Sequence, residues 1–309
     1  MIDAIYDLAR LKPIHAAVRV LSVPGAPASL ALLTPPPAGN ASIGIIAGSF
    51  NPLTRGHEAL ATAALDEGVV GSVLLLLPLR AVDKEGVTRA SSTDRALVLT
   101  EWASHRQGIS VALVNRGLFV DHARLVKAAY PNAPLVFVVG YDKIVQIFDG
   151  RYYDDREKAL RALFALSTIR VAPRDGQGEE ALRVLLARDE NEGYAAGVAG
   201  LPVDEDVDAL SSTVVRRAAA RGAAWTDLAP VETVRFVEET RPYAPPLRLP
   251  NGEEIDRYGL RVALLDAVAS GVLATPEPPD FAALCAMAGA DSAEGRALRG
   301  RLQRMNYTK

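Results

Sequence analysis

The segment Gly48-Ser49-Phe50-Asn51-Pro52-Leu53-Thr54-Arg55-Gly56-His57 sets a glycine-bearing turn, a hydroxyl and an imidazole between an apolar run, Ile43 to Ala47, and an alanine-rich helical pattern beginning at Glu58. A strand that empties through such a turn into a helix makes an anion site. The backbone approaches the ligand at Gly48, and the helix points the unpaired N–H groups of its first turn at it. The offset from Thr54 to His57 brings the hydroxyl and the imidazole to the same place at the helix start. A second segment, Ser211-Ser212-Thr213-Val214-Val215-Arg216, has a related logic. Hydroxyls and free N–H groups at a helix start cradle an oxyanion, and a guanidinium one turn on neutralises phosphate charge. At the end of another apolar run, Val139-Gly140-Tyr141-Asp142 offers a close backbone approach and a carboxylate that either accepts from a ribose or caps the next helix. Lys84 and Arg80, in the stretch after the second strand, and Arg95, at a later helix start, are cations placed to meet a second phosphate or to lie in solvent.

No Gly-x-Ser-x-Gly, Cys–His pairing or carboxylate pair supplies a nucleophile with its base. A reaction whose nucleophile is already an ionised phosphate needs none. Such a reaction asks for positioning and for charge stabilisation at the phosphorus under attack. The first segment resembles the Gly-x-Phe-[Asp/Asn]-Pro-x-[His/Thr]-x-Gly-His signature of the nucleotidyltransferase superfamily, with Thr54 at the variable position. The second resembles that superfamily's Ile-Ser-Ser-Thr-x-[Ile/Leu]-Arg, with Leu210 first and Val215 before the arginine. Gly140 to Asp142 is similar to the Gly-x-Asp element of its adenylyltransferases. The stretch from Gly140 through Phe148 to Tyr153 looks like that of nicotinamide- and nicotinate-mononucleotide adenylyltransferases.

The resemblance spans roughly residues 42 to 242. It implies transfer of a nucleotidyl group, adenylyl from ATP, to a phosphorylated acceptor, with pyrophosphate released, in NAD biosynthesis. Catalysis would rest on His57, Thr54 and Arg216, and nucleotide binding on Gly48, Ser49, Phe50, Gly56, Gly140, Asp142, Ser211, Ser212 and Thr213. Acceptor binding would fall to Lys84, Arg95 and Phe148. Mg²⁺ would accompany ATP, bridging its phosphates mostly through water, with no dedicated protein ligand set. Other acceptors, as in phosphopantetheine adenylyltransferases or cytidylyltransferases, stay open. So does a nucleotide-binding regulatory module without turnover.

The elements that must position these residues read as an α/β fold. Ile43–Ala47, Val73–Pro78, Ser110–Val114, Leu135–Val139 and Thr168–Ala172 are continuous apolar runs, as expected of parallel strands covered on both faces. Helical patterns fall between and after them, at Glu58–Glu67, Thr93–Ser104, Asp121–Ala129, Asp155–Ala165, Glu179–Ala187, Ser212–Arg221 and Val231–Glu239. The alternation predicts a doubly wound, mostly parallel, Rossmann-like sheet with ligands at the carboxyl ends of its strands. Residues 1–40 read as a preface with a short helix from Ile2 to Arg10 and a proline-rich linker. Residues 41–243 form the nucleotidyltransferase domain, and 244–309 a small helical appendage.

Bulk properties narrow the class further. A net charge of -3 argues against a nucleic-acid binder. Cys285, the single cysteine, excludes an internal disulfide framework and a cysteine-rich metal box. No apolar run reaches the roughly 18 residues of a membrane span, so no membrane partner is expected. The acidic start, Met1-Ile-Asp-Ala-Ile-Tyr-Asp7, is unlike a secretory signal. The expectation is a cytoplasmic enzyme of small molecules, for which homo-oligomers remain open.

Overall fold

Runs of Val, Ile and Leu that carry no charge must bury both faces, and such runs form the middle of a seven-stranded sheet in this computed structural model. Residues 3–37, 41–80, 90–203, 211–273 and 280–305 are described. The strands are β1 (Leu30–Leu32), β2 (Ile43–Ala47), β3 (Ser72–Pro78), β4 (Ile109–Val114), β5 (Leu135–Gly140), β6 (Ser167–Ala172) and β7 (Val198–Gly200). Across the sheet they run β1-β4-β3-β2-β5-β6-β7. β2 to β7 are mutually parallel, and β1 pairs antiparallel with β4 at one edge. The order places β2, which delivers the chain to the glycine-bearing turn, at the centre between β3 and β5.

Side chains alternate between two cores, as the two-residue period of a strand requires. Ile46, Leu75, Leu77 and Val111 face one side, against α2 (Leu8–Ser22), α3 (Arg55–Asp66) and α4 (Ser92–Ser104). Ile45, Leu74, Leu76 and Phe137 face the other, against α5 (Phe119–Ala129), α6 (Tyr141–Phe148), α7 (Arg156–Phe164) and α8 (Glu179–Leu186). The short α9 (Asp189–Glu192) leads to β7; α10 (Ser212–Arg221) and α11 (Val231–Thr240) return to the first face. No described helix is long and apolar enough to cross a membrane.

The preface differs from the helix expected over Ile2–Arg10. α1 (Asp3–Tyr6) stops at Asp7, whose carboxylate accepts from Ala9 N at 2.8 Å and caps the longer α2. Leu8, Leu11, Ile14 and Leu21 recur on one face of α2 and are buried, which carries the helix through Pro13. β1 then joins the main sheet, so the preface is built into the domain. The appendage contains α12 (Arg257–Ala269), α13 (Phe281–Ala288) and α14 (Ala293–Arg304), preceded by a hairpin, β8 (Leu247–Arg248) and β9 (Glu254–Ile255), that the helical reading omitted.

Gly44 marks the tightest approach to β2. A Cβ there would lie 2.9 Å from Val70 Cγ2 and 3.5 Å from the Ser72 carbonyl oxygen. Gly44→Val is therefore expected to overpack this contact and destabilise the protein by about 1–3 kcal/mol. The measurement is the urea midpoint, which should fall while the slope stays constant.

Candidate active site

The turn after β2 is tied back by its carbonyls. Ser49 O accepts from Arg95 Nη1 at 2.5 Å and Asn51 O from Arg216 Nη1 at 2.6 Å. Pro52 O accepts from Ser212 Oγ at 2.7 Å and Leu53 O from Thr233 Oγ1 at 3.1 Å. Helices α4, α10 and α11 thus each supply side-chain donors to the turn. Carbonyl oxygens left facing an incoming phosphate would repel it; here they are spent on these donors instead. Gly48 N donates to Leu76 O at 3.1 Å, keeping the turn beside β3.

His57 enters at the third position of α3. Its Nδ1 accepts from the Thr54 backbone N–H at 3.2 Å and lies 2.8 Å from Thr54 Oγ1. An N–H aimed at Nδ1 leaves no room for a proton on that nitrogen, so the neutral ring carries its proton on Nε2. Phe50, at φ 42° and 1% exposed, packs beside the imidazole with ring centroids 4.9 Å apart. Thr54 is fully buried. Its hydroxyl, whose one proton goes to Nδ1, orients His57, which makes Thr54 a positioning residue here and not the anion donor expected of it.

A cavity of about 450 Å³ opens at the carboxyl ends of the strands, within the usual range of small-molecule sites. It reaches from Gly117 beyond β4, past Pro78 and Ala47, to Gly140 and Ala172 at the ends of β5 and β6. Five adjacent strands at ordinary spacing span about 19 Å, the scale of an extended dinucleotide. Gly48, Ser49, Thr54, Gly56, His57, Gly140, Asp142, Ser211, Ser212 and Thr213 all line it. The starts of α3 and α10 meet here, and Arg80, Lys143 and Arg174 add cationic side chains to the lining. A Cβ at Gly140 would sit 2.9 Å from Asp142 Oδ1, so a larger residue there would turn that carboxylate away.

Several expected roles change. Phe50 does not line the cavity; it backs His57. Arg95 is 8% exposed and its fork is used on Ser49 O, Ala90 O at 3.0 Å and Ser92 Oγ at 2.9 Å, so it holds the turn and does not face an acceptor. Phe148 is buried, stacked with Phe164 at 6.2 Å, and belongs to the core. Tyr152 and Tyr153, from the same stretch, line the cavity in its place. Arg216 is absent from the lining, with its guanidinium on Asn51 O and, at 3.1 Å, on Thr213 Oγ1. The hydroxyls of the second segment are also engaged: Ser211 Oγ caps α10 by accepting from Val214 N at 3.2 Å, and Ser212 Oγ donates to Pro52 O. Lys84 lies outside the described residues.

Lys143, Gln146, Phe119, Arg174 and Asp175 line the cavity without a signal singled out in the sequence, and so does His122, whose place beside Asp121 reads as a structural helix start. Arg174 and Asp175 were within reach of the strand-end rule, since they follow β6. The others sit on helices whose facing is decided by packing. His122 is 1% exposed, and its Nε2–H donates to Arg116 O at 2.9 Å, while Nδ1 has no hydrogen-bond partner among the described residues.

Burial pushes the His122 imidazole down from 6.5 to about 4. The native state thus refuses a proton that the unfolded chain accepts. This contribution to stability is complete above pH 6.5 and is lost as pH falls through about 4. A shift of this size corresponds to about 3 kcal/mol. His122→Gln, which keeps an N–H for Arg116 O, is expected to remove this part of the acid limb. Urea unfolding at about pH 7 and about pH 4.5 in both proteins measures the difference.

Residues 45–218 match the model of a family described as cytidylyltransferase-like. Among curated relatives, a probable nicotinate-nucleotide adenylyltransferase of Gloeobacter violaceus is 27% identical over 210 residues, covering 66% of this chain and 97% of the relative. A protein of Methylibium petroleiphilum with the same description is 30% identical over 220 residues, covering 66% of this chain and 93% of the relative. A solved structure of Plasmodium falciparum nicotinic acid mononucleotide adenylyltransferase complexed with NaAD aligns with a TM-score of 0.47 at 17% identity, covering 65% of this chain and 97% of that one. The matched span holds most of β2, all of β3 to β7, the glycine-bearing turn, His57 and the start of α10; the ends of β2, β3, β5 and β6, with the turn, His57 and the start of α10, wall the cavity. The chain belongs to the cytidylyltransferase-like family.

Proposed function

We propose that this protein is a nucleotidyltransferase that moves the adenylyl group of ATP to nicotinate or nicotinamide mononucleotide, releasing pyrophosphate. The observation that carries the reading is His57, held by Thr54 as the Nε2–H tautomer on the wall of a cavity long enough for a dinucleotide. The names of the relatives at 27% and 30% identity support the acceptor. Arg80, on the β3 side, is a cation placed for the acceptor's phosphate, and Tyr152 and Tyr153 offer aromatic surface.

In the reaction, an oxygen of the acceptor's ionised phosphate attacks the α-phosphorus of ATP. A new P–O bond forms as the bond to the bridging oxygen breaks, and pyrophosphate leaves with that electron pair. No proton need be removed from the nucleophile. The protein's task is to align the two phosphates and to stabilise the charge that grows between them. Nε2–H of His57 donates to the α-phosphate, and the start of α10 receives the departing phosphates. Arg216 supports this indirectly, through Asn51 O. Magnesium enters as part of the substrate, bound to the triphosphate, where it neutralises phosphate charge. The cytoplasm, with its ATP, is the proposed place of action.

His57→Ala is expected to lower kcat about a hundredfold or more, the cost of losing one donor to a developing charge, with the KM for ATP changed only a few-fold. Steady-state kinetics of dinucleotide formation measures both. An unchanged kcat with a raised KM would remove His57 from the chemistry. The acceptor is tested by supplying ATP and magnesium with either mononucleotide, phosphopantetheine or glycerol 3-phosphate. Turnover confined to one of the last two would overturn the acceptor and leave the reaction class standing.

A further inference from the structure

The appendage lies beyond the span matched by the family, yet its first helix reaches the segment that holds the phosphate turn. Tyr258, on the first turn of α12, donates its hydroxyl proton to Asp94 Oδ2 at 2.8 Å and accepts from Ser91 N at 2.6 Å. Arg261, one turn on, donates from Nη2 to Asp94 Oδ1 at 2.8 Å and to Ile5 O, in the preface, at 2.7 Å. Asp94, itself 1% exposed, receives the appendage on both carboxylate oxygens, and its Oδ2 also accepts from Ser91 Oγ at 3.0 Å. These bonds are not needed to start α4. Ser91 already caps it, accepting from Asp94 N at 3.0 Å.

The bonds hold the segment from Ala90 to Arg95, which in turn holds the turn at two points. Ala90 N donates to Asn51 Oδ1 at 3.1 Å, and Arg95, fixed on Ala90 O, donates to Ser49 O. Tyr243 OH, just ahead of the appendage, donates to the same Asn51 Oδ1 at 3.1 Å. Burial and the neighbouring Asp94 carboxylate raise the Tyr258 phenol well above its ordinary range, so it stays a donor.

We propose that the appendage is a positioning element of the active site: Tyr258, through Asp94, Ser91 and Arg95, fixes the phosphate turn at Ser49 and Asn51. The part of this that concerns turnover rests on the proposed adenylyl transfer; the part that concerns the order of the turn does not.

The test is Tyr258→Phe in the full chain, which keeps the ring edge-on to Phe236 and removes only the hydroxyl. Hydrogen–deuterium exchange is followed in peptides covering 48–53, 90–95 and the strands 135–140 and 167–172. Exchange in the first two is expected to rise about tenfold with the strands unchanged, the pattern of a local loosening. Dinucleotide formation is expected to fall about tenfold in kcat, with the KM for the mononucleotide within about twofold. Tyr258→Phe combined with Arg95→Lys is expected to lose less than the product of the two separate losses, because residues in one network do not add. Unchanged exchange at 48–53, or an equal rise in all four peptides, would overturn the proposal, the second by showing a general loss of stability. Additive losses in the double variant would overturn it too. If the wild-type protein adenylylates neither mononucleotide, the proposed function falls, and the exchange pattern by itself decides for or against the positioning role.

Discussion

Four carbonyls between Ser49 and Leu53, each held by a side chain from elsewhere in the chain, are the constraint on which the site depends. A backbone turn that receives phosphate has to offer donors and withdraw acceptors, and the two are alternate groups of the same peptide units. Arg95, Arg216, Ser212 and Thr233 perform the withdrawal from three different helices. Bonds from a charged donor contribute about 1.5–3 kcal/mol each, and an orphaned buried carbonyl costs a comparable amount. The turn therefore cannot adjust without disturbing α4, α10 and α11 together. This accounts for arginines at positions that resemble substrate clamps in sequence and act as scaffolding in the structure.

The sheet order converts this local constraint into a binding geometry. β2 lies between β3 and β5, and the chain leaves β2 toward the first core while α5 and α6 cover the second. The cavity sits where these directions part, at the carboxyl ends of the strands, as open α/β sheets provide. His57 comes from the first face; Phe119, His122 and Tyr153 come from the second. Two substrates lying along the strand ends would meet near the middle, above β2. That is where the start of α3 and the imidazole are placed.

The central fold and the phosphate turn were legible because their signals are local. Unbroken apolar runs mark strands buried on both faces, and the decapeptide from Gly48 to His57 carries its own turn chemistry. β1 and β7 were not legible: three residues each, at or near an edge, leave no periodicity to read. Arg95 was misread for a different reason. α4 is buried on most of its circumference, Asp94 and Arg95 included, so a charge in it need not face solvent or a ligand. Phe148 failed in the mirror sense, since its aromatic neighbours Phe164 and Tyr194 come from segments distant in sequence. The types of side chain at the site could be read; which face each one takes is settled by tertiary packing.

The buried pair of Arg261 and Asp94 raises the question of why charges stand where apolar side chains would pack. Their side chains are 3% and 1% exposed, and the desolvation of such a pair commonly offsets its attraction. A hydrophobic contact of equal volume would serve stability as well, but would tolerate sliding by part of a helical turn. A carboxylate with one oxygen on a phenol and the other on a guanidinium accepts only one register of α12 against α4. Arg261 adds the Ile5 carbonyl to the same guanidinium, with the rings of Tyr6 and Phe281 at 5.0 and 5.3 Å on its faces. The preface and the appendage are thereby brought to one point, one residue away from the arginine that holds Ser49. In a site where alignment of two phosphates is most of the catalysis, an error of half an ångström matters more than a kilocalorie of stability. Register is the quantity this ion pair supplies.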